Sequence, residues 1–494
     1  MTRSPSRQDL VADIWRDVLH ARSIDPATPF VAQGGSSVLA AMLAARLRRE
    51  LSITASIAEI LDGVSVVDLA RRTRSSPALE GSAPAMQQRP ASAPETWLLE
   101  RPRRSFVGAI SVLPEKLAAT VLGDAVRCVV ASHAAFRTHF MQDGATWFAM
   151  NSAEPTQLEV LGSGGAAPRE VAMRMVQRYK SWPRTVPMAA LVKGDAEDVF
   201  CFVADHSHLD GESVGMFMDA LADSYESGAY PAPGSASPVF VREASDNVGP
   251  DVYQYWAGVF DRVGPFPRLN DELESARGEQ KSDQFDAQGF SVALRPADPR
   301  HVQRLRAQGT TVFMLFAGSL LAALSRMPGA GRGPLGIMTA SAGRHDPLAA
   351  LALGNFAHEI TVELGAPTRD VGRAIRQVRE NVRATARYDR VHRSVLLDRL
   401  GGAPASRGKT TAWLTIDEPA HRRAGSGPAG PLRSFEPLAD EHTPKRVYAG
   451  IGLHVDLAGS QPTLQACFSG DGPIRKWVEA LVVAWGAAVE EALG

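Results

Sequence analysis

Cysteine is scarce in this chain, and its charges nearly cancel. Three cysteines occur among 494 residues, and Cys128, Cys201 and Cys467 lie far apart without metal-ligand spacing. That usage disfavours a disulfide framework and is typical of a reducing compartment, so we expect a cytoplasmic protein. The net charge of -1 provides no basic surface for a polyanion. We therefore expect no nucleic-acid partner.

Long hydrophobic runs are also missing. The longest apolar run, from Val312 to Leu324, is too short to cross a bilayer. The first ten residues, MTRSPSRQDL, contain no apolar signal core. The sequence therefore predicts no membrane partner.

The length of the chain predicts more than one folded unit, because 494 residues exceed what one hydrophobic core normally supports. The stretch from Ser75 to Pro94 is rich in proline, alanine and serine and shows neither helical nor strand periodicity. Such composition is typical of a partly extended tether. We expect a small domain before this stretch and a larger one after it.

One short segment combines a histidine with an aspartate four residues later. His206, Asp210 and Gly211 form the pattern H-x-x-x-D-G directly after an apolar run. Acyl transfer from a thioester to an amine or alcohol needs a base whose pKa lies close to neutral pH. The ordinary histidine pKa lies in that range. The Asp-Gly pair predicts a sharp turn that holds this base. A hydrogen-bonded structural histidine would give the same pattern.

A second pattern lies near the N-terminus, where the chain reads GGSS. Gly34 and Gly35 predict a turn, and Ser37 opens an amphipathic helix. Its apolar residues recur at helical spacing and are Leu39, Met42, Leu43, Leu47 and Leu51. From the residues alone, Ser37 is either a helix N-cap or an exposed serine available for modification.

The first 75 residues resemble a peptidyl or acyl carrier domain. Besides GGSS, the resemblance rests on a first helix at 7–20 and a last helix at 65–74. It implies a small all-α four-helix domain over 1–75. It also implies that Ser37 carries 4'-phosphopantetheine, added by a phosphopantetheinyl transferase. Ser36 stands where the family usually has Asp or His, which bears on recognition by that transferase.

The rest of the chain resembles the condensation domains of nonribosomal peptide synthetases and the related polyketide-associated acyltransferases. The segments that match, besides H-x-x-x-D-G, are SHAAFRTHF at 132–140, YW at 255–256, GIMTASAGR at 336–344 and LGNFAHEI at 353–360. The resemblance implies a two-lobed α/β fold of the chloramphenicol-acetyltransferase type, with a tunnel between the lobes. It divides the chain into a flexible linker at 76–94, an N-lobe at 95–265 and a C-lobe at 266–494.

The same resemblance assigns roles to four residues. His206 matches the active-site histidine, and Gly211 matches the glycine after the structural aspartate. We expect backbone donors near Gly211 to stabilise the developing oxyanion. Asp210 matches the structural aspartate, and Arg344 matches the arginine that pairs with it. Because a buried carboxylate without a cation is costly, this ion pair is expected to join the two lobes.

Asp205 departs from the condensation pattern, since the family commonly has a first histidine there. Asp205, Asp210 and Ser213 also fit D-x-x-x-x-D-x-x-S, the pattern of heterocyclisation domains. Those ring-forming relatives usually lose the counterparts of His206 and Gly211, which favours acyl transfer for this chain.

His208, His133 and His358 are the other histidines for which the sequence predicts a role. His206 and His208 would share a strand face beside carboxylates, but no third imidazole or thiolate stands at ligand spacing, so no metal is expected. His133 and His358 are expected to make local hydrogen bonds.

The predicted function is transfer of an acyl or aminoacyl group, held as a thioester on the Ser37 arm or an equivalent carrier, to an amine or hydroxyl. No adenylation domain is recognisable, so a separate adenylating or loading enzyme is expected. The acceptor would be a free or carrier-bound small molecule. Residues 94–106 lack the family's first motif, which points away from a standard chain-elongating domain. A degenerate domain that only recruits carriers is the alternative from another class.

Overall fold

The structure of the protein is a computed structural model. The residues that it describes are 6–19, 21–35, 37–72, 88–100, 104–113, 115–151, 155–181, 186–228, 249–263, 288–295, 299–328, 333–344, 352–389, 391–400, 412–417, 432–438, 451–457, 461–468 and 472–494. The predicted boundary between lobes at 265 and residues 76–87 of the predicted linker lie outside them.

The N-terminal unit is helical in its described residues. Its helices are α1 (Arg7–Leu19), α2 (Ser37–Leu51), α3 (Ile57–Leu61) and α4 (Val66–Ala70), with a 3-10 turn at Val31–Gln33. Trp15 and Phe30 are fully buried in its core and pack edge to face, 5.0 Å between ring centroids. Such aromatic pairs add about 0.5 to 1.5 kcal/mol beyond the area that they bury.

The remainder of the chain contains three sheets. The strands are β1 (Gln88–Pro90), β2 (Phe106–Leu113), β3 (Thr138–Asp143), β4 (Thr146–Asn151), β5 (Leu158–Gly162), β6 (Met188–Lys193), β7 (Asp198–Asp205), β8 (Gln288–Ala293), β9 (Leu335–Ser341), β10 (His358–Gly365), β11 (Ala412–Asp417), β12 (Glu436–Pro437), β13 (Ile451–Asp456) and β14 (Thr463–Phe468).

The first lobe is built on a five-stranded sheet of order β12-β2-β7-β6-β5, beside a three-stranded sheet β1-β4-β3. Its helices are α5 (Ala93–Leu99), α6 (Ala119–Ser132), α7 (Pro168–Ser181) and α8 (Gly211–Ser227). Strand β7 is buried along its whole length. It runs antiparallel to β2 with Asp205 opposite Phe106, which fixes where the chain leaves the sheet after β7.

The second lobe is built on a six-stranded sheet of order β10-β9-β11-β13-β14-β8. Its helices are α9 (Pro250–Arg262), α10 (Pro299–Ala307), α11 (Val312–Arg326), α12 (Val371–Tyr388), α13 (Arg393–Arg399) and α14 (Pro473–Leu493). The apolar helix α11 is buried in the core of this lobe, and Trp485 of α14 donates to the Phe316 carbonyl of α11 at 3.0 Å. The sequence predicts this closing helix over Pro473–Leu493 from one apolar stripe, formed by Trp477, Leu481, Val482, Trp485 and Val489.

Two elements cross the predicted division of the lobes. Strand β12, from the second half of the chain, pairs with β2 of the first sheet. Helix α9 falls within 95–265, yet its Trp256 donates a hydrogen bond to the Tyr388 carbonyl at 2.9 Å. Tyr255 also stacks on the Tyr388 ring, 4.3 Å between centroids. Helix α9 therefore packs with the second lobe rather than the first.

The predicted linker ends earlier than residue 94. Gln88–Pro90 pairs with β4, and Ser92 caps α5 through a capping box with Glu95. Arg89 holds the same carboxylate at 2.6 and 2.7 Å. Residues 88–94 therefore belong to the folded first lobe, because a local cap and a buried ion pair outweigh the low intrinsic order of this composition.

Among the described residues, no single helix has the length and apolarity to span a membrane. Two consecutive helical segments, 300–307 and 312–326, are long and apolar enough when taken together, but they are bent by 97° relative to each other.

Candidate active site

Strand β7 delivers His206 to the edge of the first sheet. The strand ends at Asp205, and the backbone N–H of His206 donates to the Ser105 carbonyl, which precedes β2, at 2.8 Å. The His206 side chain is half-buried. Its Nδ1 atom is shielded from solvent and has no hydrogen-bond partner among the residues that the structure describes. The backbone that carries the imidazole is thus held against the residue that precedes β2.

Asp205 anchors the turn that carries His206. One carboxylate oxygen accepts from Arg104 Nε at 2.8 Å, and the other accepts from the Ser207 backbone N–H at 2.9 Å and the Ser207 hydroxyl at 2.6 Å. Burial alone would raise the pKa of Asp205, but the nearby His208, the Ser207 hydroxyl and Arg104 hold it below its ordinary value. Asp205 is therefore a buried anion, and both of its carboxylate oxygens accept hydrogen bonds.

His208 faces into the protein. Its Nε2 lies 2.9 Å from the Thr138 carbonyl, and its ring packs edge to face on Phe140 at 4.9 Å. Burial lowers the pKa of His208, while the nearby Asp205 carboxylate opposes this shift, and Nε2–H is the donor to the Thr138 carbonyl. In the described part of the chain, no three His, Cys, Asp or Glu side chains come together as metal ligands.

Asp210 caps helix α8 and receives four donors. Its carboxylate accepts from the Ser213 N–H at 2.8 Å, the Phe356 N–H at 3.0 Å and the Ala357 N–H at 3.3 Å. Arg344 Nη2 lies 2.8 and 3.1 Å from its two oxygens. Burial would raise the pKa of Asp210, but the Arg344 charge and these backbone hydrogen bonds lower it.

Arg344, three residues after the end of β9, connects the two lobes. Its Nη1 donates to the Ala352 carbonyl at 2.8 Å and its Nη2 to the Ser213 hydroxyl at 2.7 Å. The Ser213 hydroxyl in turn lies 2.7 Å from the Gly354 carbonyl. The guanidinium also covers the Phe356 ring at 4.4 Å. The Arg344 and Asp210 side chains are 1% and 2% exposed, so this network is fully desolvated.

Gly211 begins α8 and is exposed. A Cβ at this position would meet nothing within 4 Å. Packing therefore does not require glycine here, and the open space lies at a helix N-terminus, where backbone N–H groups lack intrahelical partners.

Sequence reasoning missed two polar residues around this site. Arg104 gave no signal, because nothing in the pattern of the sequence links it to Asp205 across β2 and β7. Asn355 lies inside the LGNFAHEI segment, and both of its side-chain amide atoms are buried without a partner among the described residues. Its position between Gly354 and Phe356 was the available signal.

His358 and His133 both lie in buried positions. His358 Nε2 lies 2.7 Å from Asp389 Oδ1, and the Ser341 hydroxyl donates to the other oxygen of Asp389. Burial lowers the pKa of His133 to about 4.

The GGSS turn joins Val31–Gln33 to α2. Gly34 has a φ of 102°, in the left-handed region. A Cβ on Gly35 would overlap the Phe30 ring. Helix α2 begins at Ser37, whereas Ser36 and the side chain of Ser37 lie outside the described residues. The start of a helix favours an attached phosphate, because the helix dipole is positive there.

Two family models match the chain. One, described as a condensation domain, matches residues 96–403, and another, described as a phosphopantetheine attachment site, matches residues 9–73. CymA of Salinispora arenicola, described as a non-canonical nonribosomal peptide synthetase, is 27% identical over 385 aligned residues, which cover 70% of this chain. Surfactin synthase subunit 1 of Bacillus subtilis is 24% identical over 338 residues, 65% of this chain. The chain spans 5% and 9% of the lengths of these two relatives.

Solved structures share the fold. The first condensation domain of the CDA synthetase superposes with a TM-score of 0.59 at 17% identity, covering 84% of this chain and 98% of that domain. The starter condensation domain of rhizomide synthetase, solved with C8-CoA and Leu-SNAC, gives 0.56 at 13% identity, covering 82% and 95%. These likenesses confirm the predicted condensation-type fold.

Proposed function

The chain belongs to the condensation-domain family and has a phosphopantetheine attachment domain at its N-terminus, and we propose that it transfers a thioester-bound acyl or aminoacyl group to an amine or hydroxyl. The donor is held on 4'-phosphopantetheine at Ser37, and the N-terminal domain is a four-helix carrier. The arm supplies the activated thioester. The product is an amide or an ester.

His206 carries the proton chemistry in this proposal. The observation that supports it is a half-buried imidazole whose Nδ1 has no partner among the described residues, presented by a turn whose neighbouring carboxylates both have hydrogen-bond partners. His206 takes the proton of the attacking amine or hydroxyl as the new bond to the acyl carbon forms. The C–S bond then breaks, and the proton passes to the leaving thiolate. A base placed in this way typically contributes about 100- to 10,000-fold in rate.

Asp210 and Arg344 position the turn and do not exchange protons. Both side chains are desolvated, and the pKa of Asp210 is lowered, so the pair stays ionised near neutral pH. In this proposal, backbone N–H groups at the start of α8 stabilise the oxyanion, and the open space around Gly211 supports this assignment.

Ring formation is the second candidate, because Asp205, Asp210 and Ser213 satisfy its pattern. Asp205 is bound by Arg104 and Ser207, and Ser213 is bound to Arg344 and Gly354. An aspartate with a lowered pKa and occupied oxygens is poorly suited to accept a proton from substrate. These contacts favour acyl transfer by His206.

Two kinds of partner follow from the proposal. A phosphopantetheinyl transferase installs the arm, and an adenylating or other loading enzyme supplies the acyl group. The acceptor is a small molecule, either free or bound to another carrier.

Mass spectrometry of the loaded protein tests the proposed reaction. The holo-protein, charged on Ser37, is incubated with candidate nucleophiles, and both the protein and the released product are weighed. Acyl transfer gives loss of the acyl mass from the protein and a simple condensate. A product lighter by one water indicates ring formation, and an arm that stays charged with every nucleophile, including water, contradicts catalysis by this chain.

A further inference from the structure

The phosphopantetheine attachment domain touches the second lobe through two of its segments. The turn Val31–Gln33, which leads into GGSS, packs on α10, and α3 packs on α12. A cleft of about 880 Å³ lies between them, lined on one side by Ser23 and Gln33 and on the other by Gln303 and Arg306. The segment that precedes the attachment serine thus faces the condensation domain.

Charge complementarity marks this contact. Asp62, directly after α3, lies between two arginines of α12, with Arg383 Nε at 3.5 Å and Arg387 Nη2 at 3.7 Å. Arg383 Nη2 also donates to the Leu61 carbonyl at 3.2 Å. Arg306 Nη1 is 3.7 Å from the position of a Cβ on Gly34, so a third arginine lies beside the GGSS turn.

Helix α12 concentrates positive charge on this side. Its arginines recur every three or four residues and therefore share one helix face; they are Arg373, Arg376, Arg379, Arg383 and Arg387. Burial lowers the pKa of Arg379, and the neighbouring Arg383 and Arg376 lower it further. Like charges crowd here, and a carboxylate from the N-terminal domain relieves that repulsion.

The contact lies at the active-site end of α12. Asp389 follows the helix directly, and its carboxylate is hydrogen-bonded to His358. Two residues before His358, the backbone N–H of Phe356 donates to Asp210. Arg383 precedes Asp389 by about 9 Å of helix. A domain seated on Arg383 and Arg387 is therefore held at the end of the second lobe where the reaction takes place.

We propose that this face of α10 and α12 is the docking surface for the chain's own carrier domain, with Asp62 seated between Arg383 and Arg387. The inference rests on the proposed function, because it gives the attachment domain the role of donor in cis. Partly exposed ion pairs are individually weak, at about 0.2 to 1 kcal/mol each. They suffice here because the covalent connection makes the local concentration of the domain high.

Crosslinking of the apo-protein tests the docking without any catalytic readout. Ser23→Cys and Gln303→Cys place one thiol on each side of the cleft, with Cys128 and Cys467 changed to serine, and a short bismaleimide joins them. Asp62→Arg, or Arg383→Glu with Arg387→Glu, should lower the crosslinking yield about threefold to tenfold. All three changes together should restore it. Arg373→Glu, on the same helix face but further from the contact, is the control and should leave the yield unchanged.

Either a yield that does not respond to charge reversal, or a loss that the combined reversal does not restore, overturns the docking surface. Thermal melting of each variant verifies that the exposed substitutions leave the fold intact. The result is separable from the proposed function: if crosslinking follows the charges while the charged holo-protein transfers nothing, the docking stands and the acyltransferase proposal fails.

Discussion

The two carboxylates that flank His206 have different structural roles. Asp205 fixes the turn within the first lobe through Arg104 and Ser207, whereas Asp210 fixes it to the second lobe through Arg344. Each is buried and each has a lowered pKa, so both remain anions. The histidine between them is held from both sides.

Asp205→Asn should weaken the fold more than the reaction. The amide keeps the shape of the side chain but loses the ion pair with Arg104, so we expect a lower melting temperature and turnover within about tenfold of the parent. Thermal unfolding and single-turnover transfer measure the two effects. A variant with unchanged stability and no activity would instead make Asp205 a reacting group.

Removing either partner of the Asp210–Arg344 pair should destabilise the protein by about 3 to 5 kcal/mol, because the other charge is then left buried and alone. Arg344→Met and Asp210→Asn test this by urea unfolding. The double variant should lose less than the sum of the two single losses. Additive losses would show that the two groups are not coupled.

Acidification should weaken the fold through the same carboxylates. Their folded-state pKa values lie below the ordinary value of about 3.9. The stability they contribute is therefore complete above that ordinary pKa and is lost as the pH falls through the lower folded values. Unfolding followed between pH 6 and pH 2 should show a smaller acid loss for Asp210→Asn than for the parent.

The sequence predicted the Asp210 to Arg344 contact but not the contact of Arg104 with Asp205. The first pair sits in family motifs, so their positions indicate each other. Arg104 precedes β2 and reaches Asp205 only because β2 and β7 pair with Phe106 opposite Asp205. Strand register decides such a contact, and no local periodicity contains it.

Among the elements, the GGSS turn is restricted in geometry at both of its glycines. Gly34 adopts a left-handed φ, and Gly35 lies against the buried ring of Phe30. Helix α2 can start at Ser37 only because both glycines allow the chain to turn tightly over the core.

Gly35→Ala should destabilise the N-terminal unit by about 1 to 3 kcal/mol, because the added methyl group overlaps the Phe30 ring and the core must shift. Gly211→Ala is the matched control, since its Cβ meets open space. Thermal unfolding of both variants compares them. Equal melting temperatures would show that Phe30 yields without cost.

Ser37→Ala should abolish loading by a phosphopantetheinyl transferase and coenzyme A while leaving the fold intact. Intact-mass measurement shows whether one arm has been added. Equal labelling of Ser37→Ala and the parent would place the attachment elsewhere.

The sequence predicted the position of the closing helix more accurately than the end of the linker. The stripe of Trp477, Leu481 and Trp485 indicated the closing helix over the range that the structure has. The predicted linker was too long at its C-terminal end, because Ser92 and Glu95 form a capping box that its proline-rich composition conceals.

For the molecule as a whole, the interlobe contacts set the arrangement of the site. Strand β12 joins the first sheet from the second half of the chain, and Arg344 and the 352–357 segment close on the turn after β7. Such long-range pairings follow from tertiary packing. The sequence contributed the motifs that meet there but not the crossing of the lobes by β12 and α9.

The central claim is that His206 performs the proton transfer in acyl transfer from the chain's own carrier. The measurement that tests it most directly is single-turnover transfer from the holo-protein charged on Ser37, followed by intact mass, for the parent, His206→Ala and Asp205→Asn. The account predicts a loss of about 100-fold or more for His206→Ala, with equal loading and folding, and a much smaller loss for Asp205→Asn. Transfer by His206→Ala at the parent rate, with Asp205→Asn inactive, would contradict it.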